Sequence, residues 1–315
     1  NIYVSDYYLE VIRQQIIDTF GEKYLYGGGL SVRTSLDTDT QLKADVALKE
    51  GLLTYDKRYG YRGILKNDVN ENWLNDLESV PLPYNFLFAK AISVDDKSAI
   101  IQASTNERGA INLSNLTWAR EHIPGGYVGP KIVAAKDVLK ENDIIYVSKN
   151  ENDEYVLEQI PNINGGIIVM DPHSGRVVAL SGGFDFKLSN FNRVSQAKRQ
   201  PGSAFKPFVY ISALENGLQP NSLILDAPFV VDQGEKLGKW KPENYGKKFY
   251  GPSPLRKGIE NSRNLMTIRI AQYLGMDKIS EVANRVNIMK DMPEVLSMAL
   301  GAGETTLIDL TSAYA

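Results

Sequence analysis

The sequence predicts an α+β chain with a small β-rich module set between helical segments, and three observations carry that prediction. Residues 5–53 alternate helical spacing with one strand-like run. Residues 80–160 break into short alternating apolar runs bounded by Asn, Asp, Gly and Lys. From residue 165 a hairpin is followed by helical spacing over 203–216, 254–273 and 276–287. The expected divisions are 1–79, 80–160 and 161–315, and 315 residues suffice for two or three domains.

Taken in order, Tyr8, Leu9, Ile12, Ile16, Ile17 and Phe20 recur at the three-four spacing of an amphipathic helix over 5–20. A glycine turn leads into Leu30, Val32, Thr34 and Leu36, whose alternation predicts a strand. Asp or Thr then caps a helix whose expected apolar face is Leu42, Val46, Leu52 and Leu53. The runs FLFAKAISV, SAIIQAS, GAINLS, DIIYVS and EYVLEQI predict a small barrel or sandwich. Strands Ile167–Met170 and Val177–Leu180 flank the turn DPHSG.

Composition excludes several function classes. A net charge of -3 with both signs interspersed leaves no basic face for nucleic acid. The chain has no cysteine, which rules out disulfides, zinc–thiolate sites and thiol catalysis. No metal or other cofactor is expected. No apolar run reaches the roughly 18 residues of a membrane span, and there is no leader-like start. Both ends are expected to be cut from something longer.

The stretch RQPGSAFKPFVY at 199–210 carries the chemistry. A helix starting at Ser203 puts Lys206 one turn away, within reach of the hydroxyl. Pro201-Gly202 before it, Pro207 in its first turn and Gly217 after Asn216 all suit that helix. Serine is a weak nucleophile until a base takes its proton, and a lysine serves if desolvation or neighbouring cations hold its amine neutral. Phe205 and Phe208 are candidate walls, and Lys198 and Arg199 candidate cations. Taken alone, S-x-x-K is a common chance match, and the default reading is that Ser203 caps the helix and Lys206 is solvated in its first turn. Further along, ENSRN places Ser262, Arg263 and Asn264 at the start of another helix, with a second hydroxyl and an amide.

These segments together resemble bifunctional, class A penicillin-binding proteins. RQPGSAFKPFVYISALENGLQPNS and KWKPENYGKKFYGPSPLRKGIENSRN resemble their transpeptidase stretches, and GGIIVMDPHSGRVVALSGG resembles the opening hairpin. YGGGLSVRTSLDTDTQLKADVAL is similar to their linker, and LGAGETTLIDLTSAYA to a segment before their last catalytic motif. The implied fold is a penicillin-binding, serine transpeptidase-like domain with an inserted module like the oligonucleotide/oligosaccharide-binding (OB) barrel.

The S-x-x-K and S-x-N motifs of that superfamily then imply roles. Ser203 is the acylated nucleophile and Lys206 its base. Ser262 relays the proton, Asn264 binds the substrate's peptide backbone, and the Ser203 N–H helps form an oxyanion hole. The implied partners are stem peptides ending in D-Ala-D-Ala, β-lactam antibiotics and other cell-wall synthesis proteins. The implied location is the periplasmic or extracytoplasmic face of a bacterial inner membrane, with an anchor outside this chain. The third motif, Lys-Thr-Gly, is absent from these 315 residues, so the fragment itself is expected to be weakly active or inactive.

Rival readings are a serine β-lactamase and a non-catalytic penicillin-sensing or cell-wall scaffold module. His173 with Asp171 and Ser174 lies in one tight turn and is not expected to form a triad. His122 is expected to be an ordinary loop residue, and Asp37, Asp39, Asp95 and Asp96 caps or solvated carboxylates. Trp240 and Tyr245 either border a substrate cleft or pack on the following helix.

Overall fold

The structure is a computed structural model that describes residues 5–83, 85–232 and 238–315. It divides into two compact units. The first comprises residues up to 167 together with 179–192, and the second comprises 168–178 with 193–315.

The first unit opens with helices α1 (Asp6–Phe20), α2 (Glu22–Gly27) and α3 (Thr38–Lys57). The amphipathic spacing of α1 buries little: Leu9 and Phe20 are exposed, and the helix is anchored by Tyr7 and Tyr8. Tyr7 donates its hydroxyl to the Ser189 carbonyl and meets the Phe186 ring edge-on. The strand expected at 30–36 does not form. Alternation becomes a strand only with a neighbour to pair with and a face to bury against. Leu30 and Val32 have neither, and both are exposed.

Asp37 caps α3, its Oδ1 accepting from Thr40 N at 2.8 Å. The buried face of α3 is not the expected one. Leu42 and Val46 are solvent-exposed, while Gln41, Ala44, Leu52 and Asp56 face inward. Polar pairing sets that rotation. Gln41 Oε1 accepts from Leu180 N at 2.8 Å and its Nε2 donates to Leu180 O at 3.0 Å, so the amide extends a strand edge. Asp56 takes both Arg62 guanidinium nitrogens, Gln159 Nε2 and Asn162 N.

The module that follows is an antiparallel sheet. Its strands are β1 (Lys66–Asn67), β2 (Leu87–Val94), β3 (Ser98–Ala103), β4 (Arg108–Asn112), then the small β5 (His122–Ile123) and β6 (Tyr127–Val128), then β7 (Asp143–Lys149) and β8 (Tyr155–Glu158). The main sheet has the order β1-β7-β2-β3-β4, with β8 also on β7, while β5 and β6 pair with each other as a separate ribbon, and a bulge between Ala91 and Ser93 helps curl β2. Tyr155 of β8 lies over Gly109 of β4, where an added Cβ would sit 2.4 Å from the ring. Tyr155 OH also donates to Glu107 Oε2 at 3.0 Å, so these two strands approach without a ladder. Inside are Ala89, Ile101, Ile111, Ile145, Val147 and Leu157. The other face packs Phe88, Tyr146 and Trp73 against Leu52 of α3 and Phe184.

The second unit takes in the turn of the hairpin formed by β9 (Ile167–Met170) and β10 (Val177–Ser181). A 3-10 turn, Gly202–Phe205, runs into α4 (Lys206–Glu215), where the sequence suggested one helix from Ser203. Strands β11 (Leu223–Asp226) and β14 (Gly251–Pro254) pair antiparallel, as do β12 (Val231–Asp232) and β13 (Lys239–Trp240). Helices α5 (Leu255–Glu260), α6 (Asn264–Leu274), α7 (Met276–Arg285) and α8 (Leu307–Tyr314) complete it. Residues 254–273 are thus two helices, broken where Ser262 takes φ 51. The core gathers Phe205, Phe208, Ile270, Leu274, Ile279 and Val282, so both phenylalanines are core side chains. Among the described residues no helix is long and apolar enough to cross a membrane.

Candidate active site

Lys206 opens α4 and is 2% exposed. Burying an ammonium is costly unless its hydrogens find acceptors. Three oxygens meet it: Ser262 O at 2.6 Å, Asn264 Oδ1 at 2.6 Å and Ser262 Oγ at 3.0 Å. All three are neutral, and no carboxylate forms an ion pair with Lys206 among the described residues. Burial pulls its pKa down from 10.5 to about 8. Lys198 and Arg199, candidates for neighbouring cations as much as for a solvated loop, are exposed, and burial is the cause of the shift.

The break between α5 and α6 brings those oxygens together. Ser262 N donates to Ile259 O at 3.1 Å and Arg263 N to Gly258 O at 2.8 Å, which closes the end of α5. The left-handed Ser262 then presents both its carbonyl and its hydroxyl to Lys206 Nζ, in a conformation that costs a non-glycine residue on the order of 1 kcal/mol. Gly258 lets α5 approach α4, since a Cβ there would lie 2.3 Å from the Tyr210 hydroxyl.

Ser203 lies one residue into the 3-10 turn and is exposed. Lys206, Ser262 and Asn264 therefore converge, while no hydrogen bond joins Ser203 Oγ to Lys206 Nζ among the described residues. Contacts between a candidate nucleophile and its candidate base are commonly loose before substrate arrives.

What fixes the Ser203 turn is a segment that sequence reasoning did not assign to the site. Gly202 N donates to Gly301 O at 3.2 Å, and a Cβ on Gly301, whose φ is 76, would lie 2.1 Å from Gly202 O. Arg199 and Thr305 exchange backbone hydrogen bonds at 2.9 and 3.0 Å, and Tyr314 OH donates to Ala204 O at 2.7 Å. The sequence signal was the glycine pair in LGAGETT, Gly301 and Gly303. Also missed was the support of Asn264, whose Nδ2 donates to Glu243 O at 2.8 Å.

The other candidates separate cleanly. Asp171 accepts from His173 N at 3.0 Å and from the Ser174 hydroxyl, and these bonds, the hydroxyl first, hold its pKa below the usual value. They form a self-contained turn. His122 Nδ1 bonds the Tyr59 carbonyl at 2.6 Å, in β5 rather than a loop. Asp95 caps a turn through Lys97 N and Ser98 N, and Asp96 pairs with Lys136. Trp240 packs with Phe229, Leu265 and Ile268, against the following helix, whereas Tyr245 is fully exposed.

Comparison with known proteins adds three findings. Residues 165–299 match the penicillin binding protein transpeptidase domain, and residues 63–163 match the penicillin-binding protein OB-like domain. The chain is 40% identical to penicillin-binding protein 1A of Rickettsia typhi, over 99% of this chain and 39% of that protein. It is 34% identical to penicillin-binding protein 1A of Pseudomonas aeruginosa, over 98% of this chain and 38% of that protein. In three dimensions it is similar to the crystal structure of penicillin-binding protein 1A from Haemophilus influenzae, with a TM-score of 0.85 and 30% identity, covering 99% of this chain and 46% of that one. The chain therefore spans less than half the length of each of these relatives.

Proposed function

The chain belongs to the penicillin-binding proteins, with an OB-like domain followed by transpeptidase-domain sequence, and from that premise we propose that Ser203, Lys206, Ser262 and Asn264 form the site of a serine D,D-transpeptidase. The observation that carries the reading is the buried Lys206, held, among the described residues, only by neutral oxygens. An amine whose pKa is about 8 is neutral in an appreciable fraction of molecules near neutrality, which a base requires.

The three hydrogen bonds at Nζ describe the ammonium form, which has three hydrogens to give. Loss of one proton leaves a lone pair. That lone pair accepts the Ser203 hydroxyl proton as Oγ attacks the penultimate D-Ala carbonyl of a stem peptide. The Ser203 backbone N–H serves as an oxyanion donor. When the C–N bond breaks, the terminal D-Ala amine takes a proton delivered from Lys206 through Ser262, whose hydroxyl both accepts and donates. An amine of a neighbouring stem then attacks the acyl ester and restores Ser203. Asn264 serves as a substrate-backbone partner. β-Lactams acylate the same serine because they present a strained amide of similar shape. The substrate places the reaction on the extracytoplasmic side, with other cell-wall synthesis proteins as further partners.

Labelled penicillin tests the reading. One label per chain on Ser203, lost in Ser203→Ala, is expected, and no label on the parent protein overturns it. Transfer of the acyl group to a D-amino acid separates a transpeptidase from a penicillin sensor, which acylates and stops. The same label on the 315 residues alone measures the weak reactivity expected of them without a Lys-Thr-Gly motif.

A further inference from the structure

Asp226 is fully buried and lies at the end of β11, paired in register with Gly251. Its two carboxylate oxygens point two ways. Oδ2 accepts from Arg263 Nη1 at 2.6 Å, and Oδ1 accepts from Asn244 Nδ2 at 2.7 Å. The Arg263 guanidinium also lies 3.3 Å from the centroid of the Tyr250 ring, so it is held on two sides. Asn244 Oδ1 in turn accepts from Leu265 N at 3.3 Å, and the carbonyl of the preceding residue, Glu243, takes Asn264 Nδ2 at 2.8 Å. Arg263, Asn264 and Leu265 are consecutive. Each is therefore tied to the same strand-and-loop segment, two of them through the Asp226 carboxylate.

Resting on the functional reading above, we propose that Asp226, acting through Arg263 and Asn244, is the positioning residue that fixes which way the Asn264 amide faces. An asparagine amide has a donor end and an acceptor end, and turning it over exchanges them. With Nδ2 committed to Glu243 O, Oδ1 is left to meet Lys206 Nζ at 2.6 Å. Turned over, the amide would present a donor to an ammonium and lose both bonds. A buried ion pair is weak evidence for stability, since apolar pairs of similar volume often serve as well. Here the charge pair closes a specific turn beside a base.

The test is the rate of Ser203 acylation by labelled penicillin, measured with the melting temperature of each variant. Asp226→Asn and Arg263→Gln are expected to slow labelling at least tenfold, while Arg263→Lys, which keeps the charge opposite Asp226, stays within threefold of the parent. If Asp226→Asn does not fold, Asn244→Ala carries the test, because it severs the carboxylate from Leu265 and leaves the ion pair intact. Folded Asn244→Ala, Asp226→Asn or Arg263→Gln labelling within twofold of the parent overturns the inference, as does Arg263→Lys labelling as slowly as Arg263→Gln. An unlabelled parent instead overturns the functional reading. The side-chain amide resonances of Asn264 then decide the inference, which stands if they move in Asn244→Ala and falls if they do not.

Discussion

Three buried carboxylates of the first unit and the buried Lys206 of the second are held in different ways. In the first, Asp56 is met by Arg62 at 2.8 Å, Glu158 by Lys57 at 2.8 Å and Asp68 by Lys66 at 2.8 Å. Each of these three carboxylates has a cation, whereas buried Asp143 is held by the Asn67 amide and the Lys140 N–H, and buried Lys90 donates to the Asn70 carbonyl. In the second, Asp226 follows the same rule with Arg263, but Lys206 has only a carbonyl, an amide oxygen and a hydroxyl. A buried charge with an opposite partner is locked in its ionised form, whereas one with neutral partners can give up its proton at modest cost. The first arrangement builds structure, and the second leaves an amine able to serve as the proposed base.

The sharpest way to break this contrast is to remove one charge from each unit. Lys206→Met is expected to slow Ser203 acylation by ~10²–10⁴, the usual contribution of a general base, with a small change in melting temperature. Asp56→Ala is expected to do the reverse. It strands Arg62, Gln159 and the Asn162 N–H, and costs about 3–5 kcal/mol in urea unfolding, while the folded fraction acylates at the parental rate. Equal effects of the two changes on both readouts would end the distinction.

Titration gives the next largest effect. With a pKa of about 8, the neutral fraction of Lys206 rises about tenfold between pH 7 and pH 9, and stopped-flow acylation should follow it. Stability moves in the same direction. The folded-state value lies below the 10.5 of the unfolded chain, so between about 8 and 10.5 the unfolded state holds a proton that the folded state does not. Unfolding free energy should therefore rise with pH across that window, by an amount on the order of 3 kcal/mol, and the rise should vanish in Lys206→Met. A flat profile in the parent would mean that Lys206 keeps its proton.

Much of this was legible in the sequence, though not evenly. The short alternating runs of the OB-like module became strands because each had a neighbour to pair with, and the same alternation at Leu30–Leu36 failed for want of one. Two short motifs singled out Ser203, Lys206, Ser262 and Asn264, and the structure brings the last three together. Their geometry was not readable from the motifs. Nothing in ENSRN announces that Ser262 breaks a helix with φ 51, or that Asp226, 37 residues upstream of Arg263, underlies the turn. Helical periodicity also misjudged α3, because Gln41 and Asp56 are buried by hydrogen bonds, which a count of apolar residues does not register.

Glycine substitutions sharpen the comparison at a smaller scale. Gly109→Ala places a methyl group against the Tyr155 ring and is expected to cost about 1–3 kcal/mol by overpacking, with acylation unchanged. Gly301→Ala meets backbone rather than side chain, at Gly202 O, and cannot be relieved by a rotamer change. It should displace the Ser203 turn and slow acylation at least tenfold in the protein that still folds. Parental acylation by Gly301→Ala would show that the turn does not depend on this contact.

The smallest effect comes from one chemical change made twice. Asp37 caps α3 through Thr40 N, and Thr306 caps α8 through Asp309 N at 3.2 Å. Losing either cap to alanine should cost about 1 kcal/mol, with similar shifts in chemical denaturation. Their consequences for acylation should differ. Helix α3 carries Gln41 and Asp56, and among the described residues none of the hydrogen bonds at Lys206 Nζ involves it, so Asp37→Ala is expected to acylate normally. Helix α8 carries Tyr314, whose hydroxyl holds Ala204 O beside Ser203, so fraying it loosens the turn that presents Ser203. Thr306→Ala should therefore slow labelling a few-fold at equal stability, and Tyr314→Phe should reproduce that loss without weakening the cap. If Tyr314→Phe labels at the parental rate while Thr306→Ala does not, α8 acts on Ser203 by some route other than this hydroxyl.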